Sequence, residues 1–231
     1  MSIEEGLLTV RENIRRAAKE SGRKSEDIKL VAVSKFKSVD DIRLAASLGA
    51  TDFGENYIQE FNDKYAALGS DGIQWHIIGN VQRNKVKYIA DKNVIVQTVD
   101  RLSIAEELSK QAKKFDRVIP VLMQVNTSGE DTKSGCEPEE LSELFEKCLE
   151  YENIRIEGLM TIGPNTTDTK SVEECFESTY ALFESMKNFE KAKGQIKYLS
   201  MGMTNDYMLA IKHGANIVRV GRAIFGERES R

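Results

Sequence analysis

The sequence predicts an α/β fold: a single (β/α)8 barrel of the TIM type with an extra helix at its N-terminal end. Three observations carry this. Eight short apolar runs recur along the chain, and each is followed by a segment whose apolar residues have helical spacing or by a polar loop leading into one. Runs such as Leu30-Val31-Ala32-Val33 are apolar at consecutive positions, the pattern of a parallel strand buried on both faces. Strands alternating with helices give a parallel sheet, eight such units close a barrel, and 231 residues lie near the lower end of that fold's range. No Pro-, Gly- or Ser-rich linker divides the chain, so residues 1–231 are expected to form one domain. A doubly wound open sheet is the structural alternative.

The elements follow in order. Ile3, Leu7, Val10, Ile14, Ala17 and Ala18 keep 3-and-4 spacing, so residues 2–20 are expected to be an amphipathic helix. Ser2 and Glu5 have capping-box spacing, and Ser21-Gly22 stops the helix. The first strand runs through Leu30–Val33 to Lys35. Ser38 opens a helix with Ile42, Ala45 and Leu48 inward and Gly49 at its end. Asp52–Asn56 is a second strand end and turn, followed by a helix through Tyr57, Ile58, Phe61 and Tyr65. Gln74–Gly79 is the third strand, with a helix over 82–90. Val94–Val99 is the fourth, with a helix over 100–114. Val118–Asn126 is the fifth, where Pro120 near the start costs only one ladder bond. Pro138 suits the first turn of a helix running to about Glu150. Ile154–Met160 is the sixth strand, and a long helix is expected from Ser171 to near Gly194. Lys197–Met201 is the seventh, with a helix from Thr204 to His213. Asn216–Gly221 is the eighth, with Ala223–Gly226 behind it.

Composition excludes several classes. A net charge of −4 offers no broad attraction to nucleic acid or anionic lipid, and neither is expected as a partner. Arg15, Arg16, Lys19, Arg23 and Lys24 read as the wet face of a helix. Cys136, Cys148 and Cys175 are odd in number and widely spread, which argues against a disulfide frame or a zinc site, and no metal is expected. The amino end lacks a signal peptide's pattern, and no apolar run reaches membrane-spanning length. A cytoplasmic location is expected.

In such a barrel the chemistry lies at the carboxyl ends of the strands. Counting in twos, Lys35 shares a face with Val31 and Val33. If that face points inward, an amine sits at the rim of a hydrophobic wall. Partial burial disfavours the charged form and makes a Schiff-base nucleophile. The ordinary alternative is that Lys35 leaves the strand and meets water. Ser200-Met201-Gly202-Met203-Thr204-Asn205 leads into an expected helix start, and Val220-Gly221-Arg222-Ala223 offers further N–H groups; together they suit a phosphate. Equally, Thr204 could be a simple N-cap and the glycines simple turns. Arg219 lies inside the apolar eighth strand, and a guanidinium there needs an acceptor. A structural ion pair answers that need; so does the ring nitrogen of a pyridine cofactor.

Lysine, anion pocket and in-strand arginine, in that order, resemble the YggS/PROSC family of pyridoxal phosphate homeostasis proteins, relatives of the alanine racemase amino-terminal barrel. The resemblance covers nearly the whole chain. It rests on Ala32–Lys35, Phe53–Tyr57, Trp75–Gly79, Gln82–Lys85, Gln124–Thr127, Lys133–Gly135, Gly158–Met160, Leu199–Met203 and Arg219–Gly226. It implies pyridoxal 5′-phosphate (PLP) held as an aldimine on Lys35. It implies phosphate contacts from Ser200, Thr204, Gly221 and Arg222, Arg219 at the ring nitrogen, and Asn56 beside the ring. The chain departs from the family where Asn80 replaces a common histidine and where Thr204-Asn205 replaces serine-glycine.

The resemblance therefore implies a PLP-binding protein of intracellular PLP homeostasis, passing cofactor to PLP-dependent enzymes or to the pool, with no catalytic residues assigned. A monomer is expected. The alternative is a PLP-dependent amino-acid racemase, which needs a second acid/base opposite the lysine. Tyr57, Tyr207 and His76 are the candidates, and nothing in their spacing singles one out. The chain closes soon after the eighth strand, leaving no length for the racemase's added β domain. A Schiff-base aldolase acting on a sugar phosphate is a third reading, without an evident acid partner for the lysine.

Overall fold

The structure is a computed structural model that describes residues 2–130 and 132–227. Eight parallel strands close in sequence order: β1 (Lys29–Val33), β2 (Asp52–Glu55), β3 (Gln74–Ile77), β4 (Val94–Val99), β5 (Ile119–Gln124), β6 (Ile154–Met160), β7 (Tyr198–Ser200) and β8 (Ile217–Val220). The last strand pairs back onto the first, with Val31 opposite Arg219. This is the predicted barrel and excludes the open sheet.

The outer ring is α1 (Ile3–Glu20), α2 (Val39–Ser47), α3 (Ile58–Leu68), α4 (Leu102–Lys113), α5 (Leu141–Cys148), α6 (Thr169–Lys187), α7 (Tyr207–Lys212) and α8 (Arg222–Phe225). The capping box read at Ser2/Glu5 is formed, and the helix opened by Ser38 carries a second one with Asp41. The extra helix α1 packs against α2, α7 and α8. Gly6 allows the contact with α8, since a Cβ there would lie 2.5 Å from the Ala223 carbonyl oxygen.

Apolar residues divide between two cores. The large one lies between sheet and helices and includes Phe53, Phe61, Trp75, Phe145 and Phe176. A small one fills the inside of the barrel with Val31, Leu122, Met160 and Ile217. Strands buried on both faces explain the unbroken apolar runs.

Five boundaries differ from expectation, the first being the end of α6 at Lys187 rather than near Gly194, with a separate 3₁₀ turn over Glu190–Ala192. The segment after β3 is a 3₁₀ helix over Arg83–Tyr88, with no side-chain cap and only Val86 buried. With so little apolar face to seat, a tight turn suffices. Pro138 lies in a turn before α5. The α6 cap is Asp168, whose carboxylate accepts from the backbone of Lys170 and Ser171. Finally, α7 starts at Tyr207, not Thr204: residues 204–206 form a turn closed by the Asp206 N–H on the Met203 carbonyl, and Asp206 has φ −136°, outside the helical range.

Candidate functional site

Lys35 stands two residues beyond β1, partly buried, on a turn that is held from outside the barrel. The preceding Ser34 is fully buried. Its hydroxyl donates to Glu55 Oε1 at 2.7 Å, and its carbonyl accepts from Lys64 Nζ at 2.7 Å. Lys64 also reaches Glu55 at 2.8 Å and Glu60 at 2.7 Å, so its ammonium has three oxygen partners. The Glu60 carboxylate accepts the backbone N–H of Phe36. Phe36 has φ 64°, a left-handed conformation that costs a non-glycine residue about 1–3 kcal/mol unless its surroundings hold it. Burial pushes the Glu55 carboxyl up, and the charge and bonds of Lys64 and the Ser34 hydroxyl only partly counter it. Its Oε2 is buried without a hydrogen-bond partner. A buried ion pair, a strained residue and an orphaned oxygen thus surround the residues flanking Lys35.

Arg219 is 4% exposed and lies on the inner face of β8. Its Nη1 donates to Ser200 Oγ and its Nη2 to the Thr161 carbonyl, both at 2.7 Å. Both acceptors are neutral, and its other N–H groups have no acceptor among the described residues. No ion pair to it occurs among those residues; the Asp206 carboxylate acts on it only electrostatically. Burial pushes its pKa down to about 10, so it stays cationic at neutral pH. The structural ion pair that could have explained this arginine is therefore not what holds it.

The loops after β7 and β8 are tied together by the Arg219 N–H, which donates to the Gly202 carbonyl at 3.0 Å. Gly202 has φ 90°, and a Cβ there would meet Ala210 Cβ at 2.5 Å. Gly221 packs against the end of β1, where a Cβ would lie 3.1 Å from the Val33 carbonyl oxygen. Close approach thus brings Gly221 and Arg222 beside the strand that leads to Lys35. The Arg222 side chain points outward, 4.0 Å from Glu227. Thr204 sits half-buried in the turn before α7. The Asp206 carboxyl beside it is raised by burial, against the pull of the Met203 N–H and the Arg219 charge.

Asn56 follows β2, half-buried, and its side-chain amide has no hydrogen bond among the described residues. Ser200 differs from expectation in what it touches. Its hydroxyl is buried inside the barrel, donating to Gln97 Oε1 at 2.6 Å while accepting from Arg219. As bonded here, it has no proton left for a phosphate. Of the candidate second acids, Tyr207 accepts from Asn13 at 2.8 Å and is buried away against α1, and His76 is held between Asp52 and Gln97. Tyr57 is exposed and packs on Phe36 with ring centroids 5.4 Å apart. Asn80 donates to Ser134 at 3.3 Å.

The alanine racemase N-terminal domain family matches residues 7–229. A pyridoxal phosphate homeostasis protein of Pasteurella multocida is 40% identical over 231 residues, covering 99% of each chain. The chain belongs to the family of pyridoxal phosphate homeostasis proteins. Within the solved structures, PipY of Synechococcus elongatus with PLP bound is 27% identical, has a TM-score of 0.84, and is covered over 97% of this chain and 100% of its own. Alanine racemase of Clostridium difficile shares the fold at 17% identity and a TM-score of 0.78, over 99% of this chain and 60% of its own.

The residues present in this family member fit a pyridine aldehyde carrying a phosphate. A buried guanidinium whose remaining N–H groups have no acceptor among the described residues can donate to a ring nitrogen. An amine at the strand exit suits an aldehyde, and two loops rich in backbone N–H groups suit a phosphate. Sequence reasoning missed Glu55, Glu60 and Lys64 as the frame of the lysine turn. Lys64 gave a signal, since it lies three residues after Phe61 on the apolar face of α3. Gln97 gave another, as an amide inside a wholly buried strand.

Proposed function

We propose that this protein binds PLP at the carboxyl end of the barrel and serves intracellular PLP homeostasis, holding the cofactor and yielding it to PLP-dependent enzymes or to the free pool. The observation that carries the reading is Arg219, a buried guanidinium with neutral partners only, on the strand next to the one that ends at Lys35. The name of the Pasteurella multocida relative and PLP in the PipY structure support it.

In this reading Lys35 takes the aldehyde, and the Glu55–Lys64–Glu60 frame fixes the turn that presents its amine. Arg219 donates to the ring nitrogen. A permanent cation there opposes protonation of the ring, so the bound cofactor is a poorer electron sink than one paired with a carboxylate. That suits storage better than turnover. Asn56 flanks the ring. Thr204 and the backbone N–H groups of Gly221 and Arg222 face the phosphate, and Ser200 contributes through its hold on Arg219. When bound, PLP supplies an aldehyde that joins a primary amine reversibly, which is the chemistry a carrier needs. In this reading the working unit is a monomer. Among the described residues no helix is long and apolar enough to cross a membrane.

Borohydride reduction of the PLP-loaded protein, followed by peptide mapping, tests the reading. The label is expected on Lys35, and Lys35→Ala is expected to be colourless. A yellow Lys35→Ala protein, or a label mapped elsewhere, would remove the assignment. Steady production of D-isomers from L-alanine or L-serine would favour the racemase reading instead.

A further inference from the structure

Below Lys35 the barrel interior holds a line of hydrogen bonds that the cofactor reading does not use. Arg219 Nη1 donates to Ser200 Oγ at 2.7 Å, and Ser200 Oγ donates to Gln97 Oε1 at 2.6 Å. Gln97 Nε2 meets His76 Nδ1 at 2.9 Å, and His76 Nε2 meets Asp52 Oδ1 at 2.9 Å. The line crosses the barrel through β8, β7, β4, β3 and β2. Arg219, Ser200, Gln97, His76 and Asp52 are all at most 7% exposed.

The direction of every bond follows from the ends. The Asp52 carboxylate only accepts, so His76 Nε2 carries the proton given to it, and Nδ1 of the neutral imidazole accepts from the Gln97 amide nitrogen. Gln97 is thereby oriented with its oxygen toward Ser200, and that oxygen takes the serine proton. The Ser200 lone pair then faces Arg219. The acceptor offered to the guanidinium is set four bonds away by one carboxylate. Elsewhere the barrel interior is filled by Val31, Leu122, Met160 and Ile217, so hydrocarbon serves where only volume is needed. A polar line through the same space is costly unless each member is satisfied and has a purpose at its end.

We propose that Gln97 and His76 are positioning residues for Arg219, fixing the guanidinium against the ring nitrogen by holding Ser200 Oγ as its acceptor. The proposal rests on the reading of Arg219 as the partner of the PLP ring. Apolar replacement of Gln97 leaves the Ser200 proton without an acceptor; the hydroxyl then turns, and Arg219 loses one of its two fixed bonds.

The test compares three variants by the absorbance band of bound PLP and by PLP affinity, with the ligand-free protein followed by ¹⁵N NMR of its histidines. Arg219→Glu is expected to shift the band. Gln97→Met is expected to shift it in the same direction and to weaken PLP binding roughly ten- to a hundredfold, the scale of one lost hydrogen bond to a charged group. Gln97→Glu is expected to restore the wild-type band, since a carboxylate accepts from both Ser200 and a doubly protonated His76. In the ligand-free wild type, His76 is expected to carry its proton on Nε2 alone. A shift in Arg219→Glu without one in Gln97→Met overturns the proposal and leaves the ring reading standing. No shift in either overturns the ring reading and the proposal with it. Should Gln97→Met fail to fold, a His76 proton on Nδ1, or a Gln97→Glu protein whose band differs from wild type, overturns the proposal independently.

Discussion

The Lys64 ammonium lies 2.7 Å from the carbonyl oxygen of Ser34, the residue just before Lys35. The same nitrogen neutralises the fully buried Glu55 at 2.8 Å. One side chain on α3 therefore both anchors the lysine turn and makes a buried carboxylate tolerable. Lys64→Met strands that charge and is expected to destabilise the protein by about 3–5 kcal/mol, whereas Glu55→Gln/Lys64→Met, with both charges gone, recovers much of the loss. Urea unfolding of the two variants decides it. A double variant no more stable than Lys64→Met would show that the ion pair is not the source of the effect.

Gly79 lets the end of β3 cross the chain at Asn56. A Cβ at Gly79 would lie 2.2 Å from the Asn56 carbonyl oxygen and 2.7 Å from its Cα, so backbone must move. Gly79→Ala is expected to cost about 1–3 kcal/mol of stability through overpacking. By displacing Asn56 it is also expected to weaken PLP binding by about tenfold, a loss of roughly 1.4 kcal/mol. Thermal melts and PLP titration measure the two effects separately. Unchanged affinity in a destabilised variant would take Asn56 out of the site.

Much of this was legible in the chain because it is local. The eight apolar runs and the Ser2 and Ser38 caps depend on neighbours a few residues apart. Arg219 stood out because a cation inside an apolar run needs an explanation whatever the fold. The start of α7 did not, since Asp206 has a non-helical backbone, φ −136°, and leaves residues 204–206 as a turn, which the polar sequence there does not distinguish from a first helical turn. Nor did the partner of Ser200. Its hydroxyl was expected at a phosphate, yet Gln97 lies 103 positions away and meets it only because the barrel closes. Periodicity reports the face a residue takes, and not which strand stands across the interior from it.

The cysteines are expected to be inert in the native protein. Burial pushes the thiols of Cys136 and Cys148 up to about 12, and that of Cys175 upward as well. At pH 8 the thiolate fraction of the first two is then about one in ten thousand, and the thiolate is the reactive form. Iodoacetamide at pH 8 should leave all three unmodified in the native protein and label all three in urea, as read by intact mass. Rapid native labelling would show that one of these sites opens to solvent.

Asp52 sets the acid side of stability. Burial alone would raise its carboxyl, but the hydrogen bond from His76, the Thr51 hydroxyl and the charge of Lys29 outweigh that, and its pKa falls below the usual range. A carboxylate lowered by folding stabilises the native state above its unfolded pKa of about 3.9, and that stability disappears as the pH falls through the lower native value. Asp52→Asn keeps an oxygen for His76 but loses the charge. At pH 6 the variant is therefore expected to be less stable than wild type by roughly 1–2 kcal/mol, the range of a charge-assisted hydrogen bond set against a neutral one. The gap should narrow as the pH falls below about 4, where the carboxyl of the unfolded wild-type chain takes up its proton while the folded one still holds its charge. Because the asparagine oxygen still accepts from His76, the orientation of Gln97 and Ser200 is kept, and the absorbance of bound PLP should not move. Paired urea titrations from pH 3 to pH 7 measure the gap; one that stays constant across that range would mean that folding does not lower the Asp52 carboxyl.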